Sequence, residues 1–268
     1  MLIDLLSTLI ALGVFVLLTA SALFGRFVRA RLPEVHRTRE TIEAMQIVIG
    51  MLVTFTALVM GLMTNSVKTA YDRAGHDLQA YALGLTRLDT CLRDYGPETA
   101  AAQAILRRYT ATLIASTWVN EKPPAWRVPG PDRVAPIGPS PVLGGELNQV
   151  YLHIRHLAPT DGFHAGVRDD CIAAYHALIR GRLAAIEDDR QQVSRPFDVI
   201  LVVWLMIIFA VFGLISPRNI VSLIGMGLCA VSLSLAIFVL ASLSHPYFVV
   251  FPSADMRAAL AAMMAPAP

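Results

Sequence analysis

The chain has 268 residues, of which 55% are apolar and only 16% are charged, and its mean hydropathy is +0.56. Soluble domains are less apolar, so the composition indicates an integral membrane protein with lipid as its surroundings. The formal net charge of +2 provides no strongly basic surface, and nucleic-acid binding is not expected.

Four stretches meet the rule of about 20 apolar residues for a helix that crosses about 30 Å of hydrocarbon. They cover about residues 2–24, 44–66, 198–216 and 220–243. The first lacks both a basic start and a following Ala-x-Ala site, which favours a retained span over a cleaved signal. The turn at Pro217 joins the last two spans as a hairpin. We therefore expect an all-α membrane protein with four transmembrane helices in two hairpins.

The arginines in the short loops predict the orientation, because such loops carry positive charge on the cytoplasmic side. The basic loop 25–43 holds Arg26, Arg29, Arg31, Arg37 and Arg39, and the turn after the third span holds Arg218. Both connections should face the cytoplasm. The extramembrane insert 68–196 and both termini then lie on the outer side.

The insert is expected to be helical, with its outer helices extending spans two and three. Residues 65–95 and 166–195 contain no proline. Between them we predict helices at about 97–119 and 145–157, separated by a proline-rich loop at 120–142. Residues 246–268 follow the last span as a C-terminal tail.

We expect the two outer helices of the insert to lie side by side and antiparallel, and the positions of two cysteines test this arrangement. Cys91 lies 26 residues beyond Asn65, and Cys171 lies 27 residues before Asp198. At 1.5 Å per residue, both sit about 40 Å above the membrane. A Cys91–Cys171 disulfide is therefore plausible if the insert occupies an oxidising compartment. The alternative is two unrelated buried thiols. Cys229, inside the fourth span, is interpreted as a small apolar residue.

Small and polar residues share one face of the second span. Gly50, Thr54, Gly61 and Asn65 lie on it, and Lys68, Asp72 and His76 continue it at helical spacing. Such residues in hydrocarbon face protein or water. One interpretation is the pore or axis of a homo-oligomer. The other is close packing against a neighbouring helix of the same chain, with Lys68 and Asp72 as a surface ion pair.

Other patterns indicate packing or chance. In the fourth span, Gly225 with Cys229 and Ser232 with Ala236 have the spacing of helix-packing pairs. His245 before Pro246 is interpreted as an interfacial histidine. His153, His156, Asp161 and His164 could surround a metal, but no second shell accompanies them, and we favour chance. No metal or other cofactor is expected, and the absence of any catalytic motif argues against an enzyme.

Three segments carry a resemblance to a known family: LVTFTALVMGL at 52–62 running into AYDR at 70–73, WLMIIFAVFGLISPRN at 204–219, and SLSLAIFVLASLSHPYFVVF at 232–251. Over nearly its whole length the chain resembles a bacterial family of membrane proteins with a bestrophin-like domain. Bestrophins proper are pentameric anion channels whose second transmembrane helices line the pore. The resemblance thus implies a pore position for the face from Gly50 to Asn65.

The sequence also departs from bestrophins proper. Its second span has one aromatic residue, Phe55, and no calcium site is carried over. Bestrophins hold their soluble part in the cytosol, whereas the arginine-rich first loop here favours a periplasmic insert. We therefore expect a homo-oligomeric ion channel of the bacterial inner membrane, lined by transmembrane helix 2. The alternative is a non-conducting scaffold or envelope sensor that binds a protein partner through its extramembrane domain.

Overall fold

The computed structural model describes residues 2–31, 33, 39–119, 121–124, 140–190, 195–217, 219–243 and 251–265. Every regular element in these ranges is a helix, which confirms the all-α class for the described part of the chain. The chain divides into two compact units. Unit 1 is Met1–Thr69 with Gln192–His245, and unit 2 is Ala70–Gln191 with Pro246–Pro268.

The helices can be given in chain order. They are α1 (Leu2–Arg31), α2 (Arg39–Tyr95), α3 (Ala100–Thr117), α4 (Pro141–Arg155), α5 (Gly162–Arg190), α6 (Arg195–Ile215), α7 (Ile220–Leu243) and α8 (Ala254–Met264). A short 3₁₀ turn at Pro97–Thr99 leads into α3.

Three helices are long and apolar enough to cross a membrane: α1 over Ser7–Arg31, α2, and α7. The apolar stretch described in α6 is shorter, at Val199–Ile215. The four predicted spans thus correspond to three long apolar helices and one shorter apolar stretch. This pattern fits the membrane protein that the composition predicts.

The second span continues beyond residue 66, because α2 is one helix of 57 residues. The corresponding extension of the third span depends on residues 191–194, which lie outside the described residues. The structure describes α5 as far as Arg190 and α6 from Arg195.

The predicted basic loop 25–43 is largely helical, which corrects its boundaries. Helix α1 continues to Arg31 and α2 begins at Arg39. Arg29 donates to the carbonyl oxygens of Ile215 (3.1 Å) and Ser216 at the end of α6. A guanidinium that satisfies the last carbonyls of a neighbouring helix is stabilised there by the helix dipole. The end of the apolar run is therefore not the end of α1.

In unit 1, α1 packs against α6 and α7. A Cβ atom at Gly25 would overlap the carbonyl oxygen of Ala210, and one at Gly213 would overlap that of Ala22. Each helix thus presents a glycine to the backbone of the other, which is how helices approach closely in membranes.

The small residues of α7 that were predicted to pack against another helix do not form the close helix contact of unit 1. No described atom is within 4 Å of a Cβ built at Gly225, and Cys229 and Ser232 are exposed. The buried residues of α7 are Ala230 and Ser234. Of α6 and α7, only α6 places a glycine, Gly213, against the backbone of α1.

We expect Gly213→Ala to destabilise unit 1 by about 1–3 kcal/mol, because the added methyl group must push two backbones apart. Gly225→Ala is the matched control. Gly225 has open space around it. The variant should be neutral or slightly stabilising, since alanine exceeds glycine in helix propensity by about 1 kcal/mol. Thermal unfolding of the purified protein in detergent measures both. Equal midpoints for the two variants would contradict the assigned contact.

In unit 2, the outer part of α2 and α5 run antiparallel and in contact. A Cβ at Gly84 would lie 3.3 Å from Cα of Leu178, and one at Gly181 would lie 3.3 Å from Cα of Tyr81. Helix α3 packs against α4 and α8. The core contains residues from all five helices, among them Leu85, Leu106, Leu147, Leu178 and Leu260.

Two helices of unit 2 begin earlier than predicted. Helix α4 starts at Pro141 rather than about 145, because the Ser140 side chain accepts from the N–H of Leu143 and proline occupies the first turn. Helix α5 starts at Gly162 rather than 166, where the Asp161 carboxylate accepts from the N–H of His164 (2.8 Å). Ser140 and Asp161 are thus N-cap residues, and they mark the two helix starts more accurately than the absence of proline does. Residues 125–139 of the predicted proline-rich loop lie outside the described residues.

Candidate functional site

The small and polar residues predicted on one face of α2 lie on the surface of unit 1. Gly50, Thr54, Gly61 and Asn65 are all exposed. No described atom lies within 4 Å of a Cβ built at Gly50 or Gly61. Thr54 Oγ1 donates to the carbonyl oxygen of Gly50 (2.8 Å), within its own helix. Packing against another helix of the same chain, one of the two interpretations of this face, finds no support among the described residues.

A different face of α2 is the buried one. Ile49, Thr56, Met63 and Val67 have at most 7% of their surface exposed. At about 100° per residue, these four positions fall on one side of the helix, and the face from Gly50 to Asn65 falls well over 90° away. The small and polar residues are therefore turned away from the core of unit 1.

Large apolar residues occupy a third face of α2. The side chains of Met51, Phe55, Leu58 and Leu62 are all strongly exposed, and Leu62 has 63% of its surface exposed. Such a face suits lipid. Helix α2 thus has one face in the core, one suited to lipid, and one of small and polar residues suited to protein or water.

Lys68 and Asp72, predicted to continue the polar face, belong to different units. Lys68 is exposed near the end of the unit 1 segment, and Asp72 is exposed near the start of the unit 2 segment. The candidate site in unit 1 therefore comprises Gly50, Thr54, Gly61, Asn65 and Lys68.

Cys91 and Cys171 are joined by a disulfide in unit 2, with Cα atoms 5.5 Å apart. The bond ties α2 to α5 at the level that counting residues along the two helices predicted. Cys171 is fully buried, whereas Cys91 is partly exposed. The third cysteine, Cys229, is free and exposed on α7.

Residues 251–265, predicted as a simple tail, are part of the core of unit 2. Met256, Leu260 and Met263 of α8 are buried in the same cluster as α3. Their spacing is that of one helix face, and Ser253 precedes them at an N-cap position, which is the signal that could have revealed the helix. This helix is hard to recognise in the sequence because the segment is short and follows the last span.

Arg93 and Glu121, which lie outside α8, hold the two ends of this helix. Arg93 of α2 donates to the carbonyl oxygens of Ala262 (3.1 Å), Met263 and Ala265 (2.8 Å) at the C-terminal end. At the other end, Glu121 accepts from the hydroxyl and N–H of Ser253 and from Arg257. The hydrogen bond from the Ser253 hydroxyl, with the guanidinium beside it, lowers the pKa of Glu121 below its ordinary value.

A pair of buried tyrosines links α2 to α3. The phenol oxygens of Tyr81 and Tyr109 share a hydrogen bond inside the core. Burial raises the pKa of Tyr109 to about 12 and the pKa of Tyr81 well above its ordinary value. Both phenols are therefore neutral at physiological pH, and the pair acts as a structural contact.

The histidines considered for a metal have other partners. The rings of His153 and His156 each donate to a backbone carbonyl one turn earlier in α4, at 2.9 and 2.6 Å. His164 pairs with Asp161, the N-cap of α5. Among the described residues, no three His, Cys, Asp or Glu side chains come together as a metal site. His245 lies outside the described residues.

Comparison with known proteins places the chain in a family. The family described as Bestrophin-like, the bestrophin-like domain, matches residues 13–248. No match was found among curated proteins or among solved structures. Since the matched segment covers most of the chain, including α2 with its small and polar face, the chain belongs to the bestrophin-like domain family.

Proposed function

We propose that this protein is a homo-oligomeric ion channel of the bacterial inner membrane, with α2 at the oligomer axis. The observation that carries the proposal is the uncovered face of α2. Its residues are small and polar within an apolar segment, and the residues that the structure describes do not bury them. A second copy of the chain, or water held by several copies, would satisfy them.

The segments that form unit 2 support a four-span arrangement. Unit 2 contains residues on both sides of the segment 192–245, and α8 packs against α3 within it. A chain that returns to the side of the membrane it left crosses an even number of times. Since α7 is long enough to cross, this supports α6 as the other span. Its 21 residues extend about 31 Å at 1.5 Å per residue, enough for the hydrocarbon core.

The first hairpin rests on packing in unit 1. Helix α1 contacts both α6 and α7, and it shares the close Gly25–Gly213 crossing with α6. A helix of this length and hydropathy, packed against two spans, is itself a span. With α2 as the second, the four spans form two hairpins.

Two independent features support a periplasmic unit 2. The arginine-rich connection, with Arg26, Arg29 and Arg31 on the last turns of α1, favours the cytoplasm for the segment between α1 and α2. The Cys91–Cys171 disulfide favours an oxidising compartment for unit 2. Both termini then lie in the periplasm, because two spans precede the insert and two follow it.

Conductance in planar bilayers tests the channel. Purified protein should carry ionic current, and Asn65→Ala or Thr54→Ala should change the single-channel conductance or the ion selectivity. Leu62→Ala is the matched control, because Leu62 lies on the apolar face of the same turn and should leave the current unchanged. Silent bilayers at high protein loading would refute the channel and favour the non-conducting scaffold or sensor, with a protein partner bound at unit 2.

A further inference from the structure

Of the two cysteines in the Cys91–Cys171 disulfide, one lines a cavity and is partly exposed, and the other is buried. A cavity of about 280 Å³ opens between α2 and α5, and Cys91 forms part of its wall together with Thr90, Val167 and Asp170. Cys171 does not line the cavity and has 0% of its surface exposed. A thiol from outside the protein can therefore approach Cys91 but not Cys171.

We propose that Cys91 is the entry point for thiol–disulfide exchange at this bond. A thiolate in the cavity attacks Sγ of Cys91, and a new disulfide forms between the attacking sulfur and Cys91. The Cys91–Cys171 bond breaks, its electron pair goes to Sγ of Cys171, and that sulfur takes up a proton. Cys171 is reduced and the attacking thiol is oxidised. A second thiol of the attacking dithiol then releases Cys91.

Oxidation runs through the same intermediate in the opposite direction. The Cys91 thiolate attacks the disulfide of a donor, and one donor sulfur leaves as a thiol. The Cys171 thiolate then attacks Sγ of Cys91 and expels the second donor sulfur. In both directions the mixed disulfide is on Cys91, because only Cys91 is reachable while unit 2 is folded.

The cavity also limits which thiol enters. Its volume lies just below the roughly 300–1,000 Å³ of small-molecule sites, which is enough for a cysteine side chain and its neighbours. Arg87 is its cation, while Asp94 and Asp170 are its carboxylates. A thiolate on an otherwise uncharged small molecule, or on a protein dithiol, therefore meets less repulsion than one whose carrier has further negative charges.

Mapping the adduct on the native protein tests the proposal. The Cys229→Ser protein, with its disulfide intact, is treated briefly with mercaptoethanol in one arm. In a second arm it is treated with a thioredoxin-fold protein that lacks its second active-site cysteine. After acid quenching, mass spectrometry should find the adduct on Cys91. Whether the adduct forms with mercaptoethanol or with the thioredoxin-fold protein distinguishes a small thiol from a protein dithiol as the attacking group. An adduct on Cys171, equal adducts on both, or none in either arm would overturn the proposal.

Single-cysteine variants provide a second measurement. In the Cys229→Ser background, Cys91 of Cys171→Ala should react with a small aromatic disulfide on the order of tenfold or more faster than Cys171 of Cys91→Ala, since a buried thiol reacts only after local opening. In denaturant the two rates should become equal. Equal rates in the folded protein would also overturn the proposal.

Discussion

Met263→Ala is expected to lower the free energy of unfolding of unit 2 by about 2–5 kcal/mol, the usual cost of emptying a buried methionine site. Met263 has 0% of its surface exposed and lies in the core with α3. The truncation removes apolar burial and leaves a cavity beneath α8. The same helix is held by Arg93 and Glu121, so it cannot easily move to fill the gap.

Met264→Ala is the matched control for this prediction. The neighbouring methionine has 48% of its surface exposed, and its truncation should change stability by no more than about 0.5 kcal/mol. Thermal unfolding and limited proteolysis of the two purified variants make the comparison. If both variants are as stable as the parent protein, α8 does not belong to the core of unit 2.

Replacing Cys91 and Cys171 together by alanine should destabilise unit 2 by about 2–4 kcal/mol. The bond links residues 80 positions apart, and breaking it releases a long loop in the unfolded chain. Alanine is chosen because serine would place a hydroxyl in the buried Cys171 site. Chemical unfolding followed by circular dichroism provides the measurement.

Cys229→Ala serves as the control for the disulfide. It removes the exposed free thiol of α7 and should leave stability unchanged. A reducing agent should lower the stability of the parent protein to that of the double variant. A double variant as stable as the parent would mean that the bond does not constrain the folded chain.

The sequence predicts the large features of the fold because they depend on local length and composition. Runs of apolar residues set the positions of α1, α2 and α7, and the absence of proline predicts that α2 continues to residue 95, where it ends. The level of Cys91 and Cys171 follows from the constant rise of a helix. Each of these inferences needs only neighbouring residues.

The missed features depend on contacts between distant segments. Gly25 and Gly213 look in the sequence like Gly50 and Gly225, and only the crossing of α1 and α6 decides which glycines are covered. The sequence of α8 looks like a simple tail. Its place in the core becomes apparent only from its contact with Arg93, which lies 170 positions before Met263. The candidate face of α2 was found from its spacing, but its exposure required the other helices of unit 1.

Cysteine cross-linking between copies tests the central claim, which is that the small and polar face of α2 lies against the same face of another copy. Gly61→Cys and Leu62→Cys are made in the Cys229→Ser protein and oxidised in native membranes. They lie at the same depth, about 100° apart around α2. The account predicts a disulfide-linked dimer for Gly61→Cys and none for Leu62→Cys on non-reducing electrophoresis. A dimer for Leu62→Cys alone, or for neither variant, would contradict it.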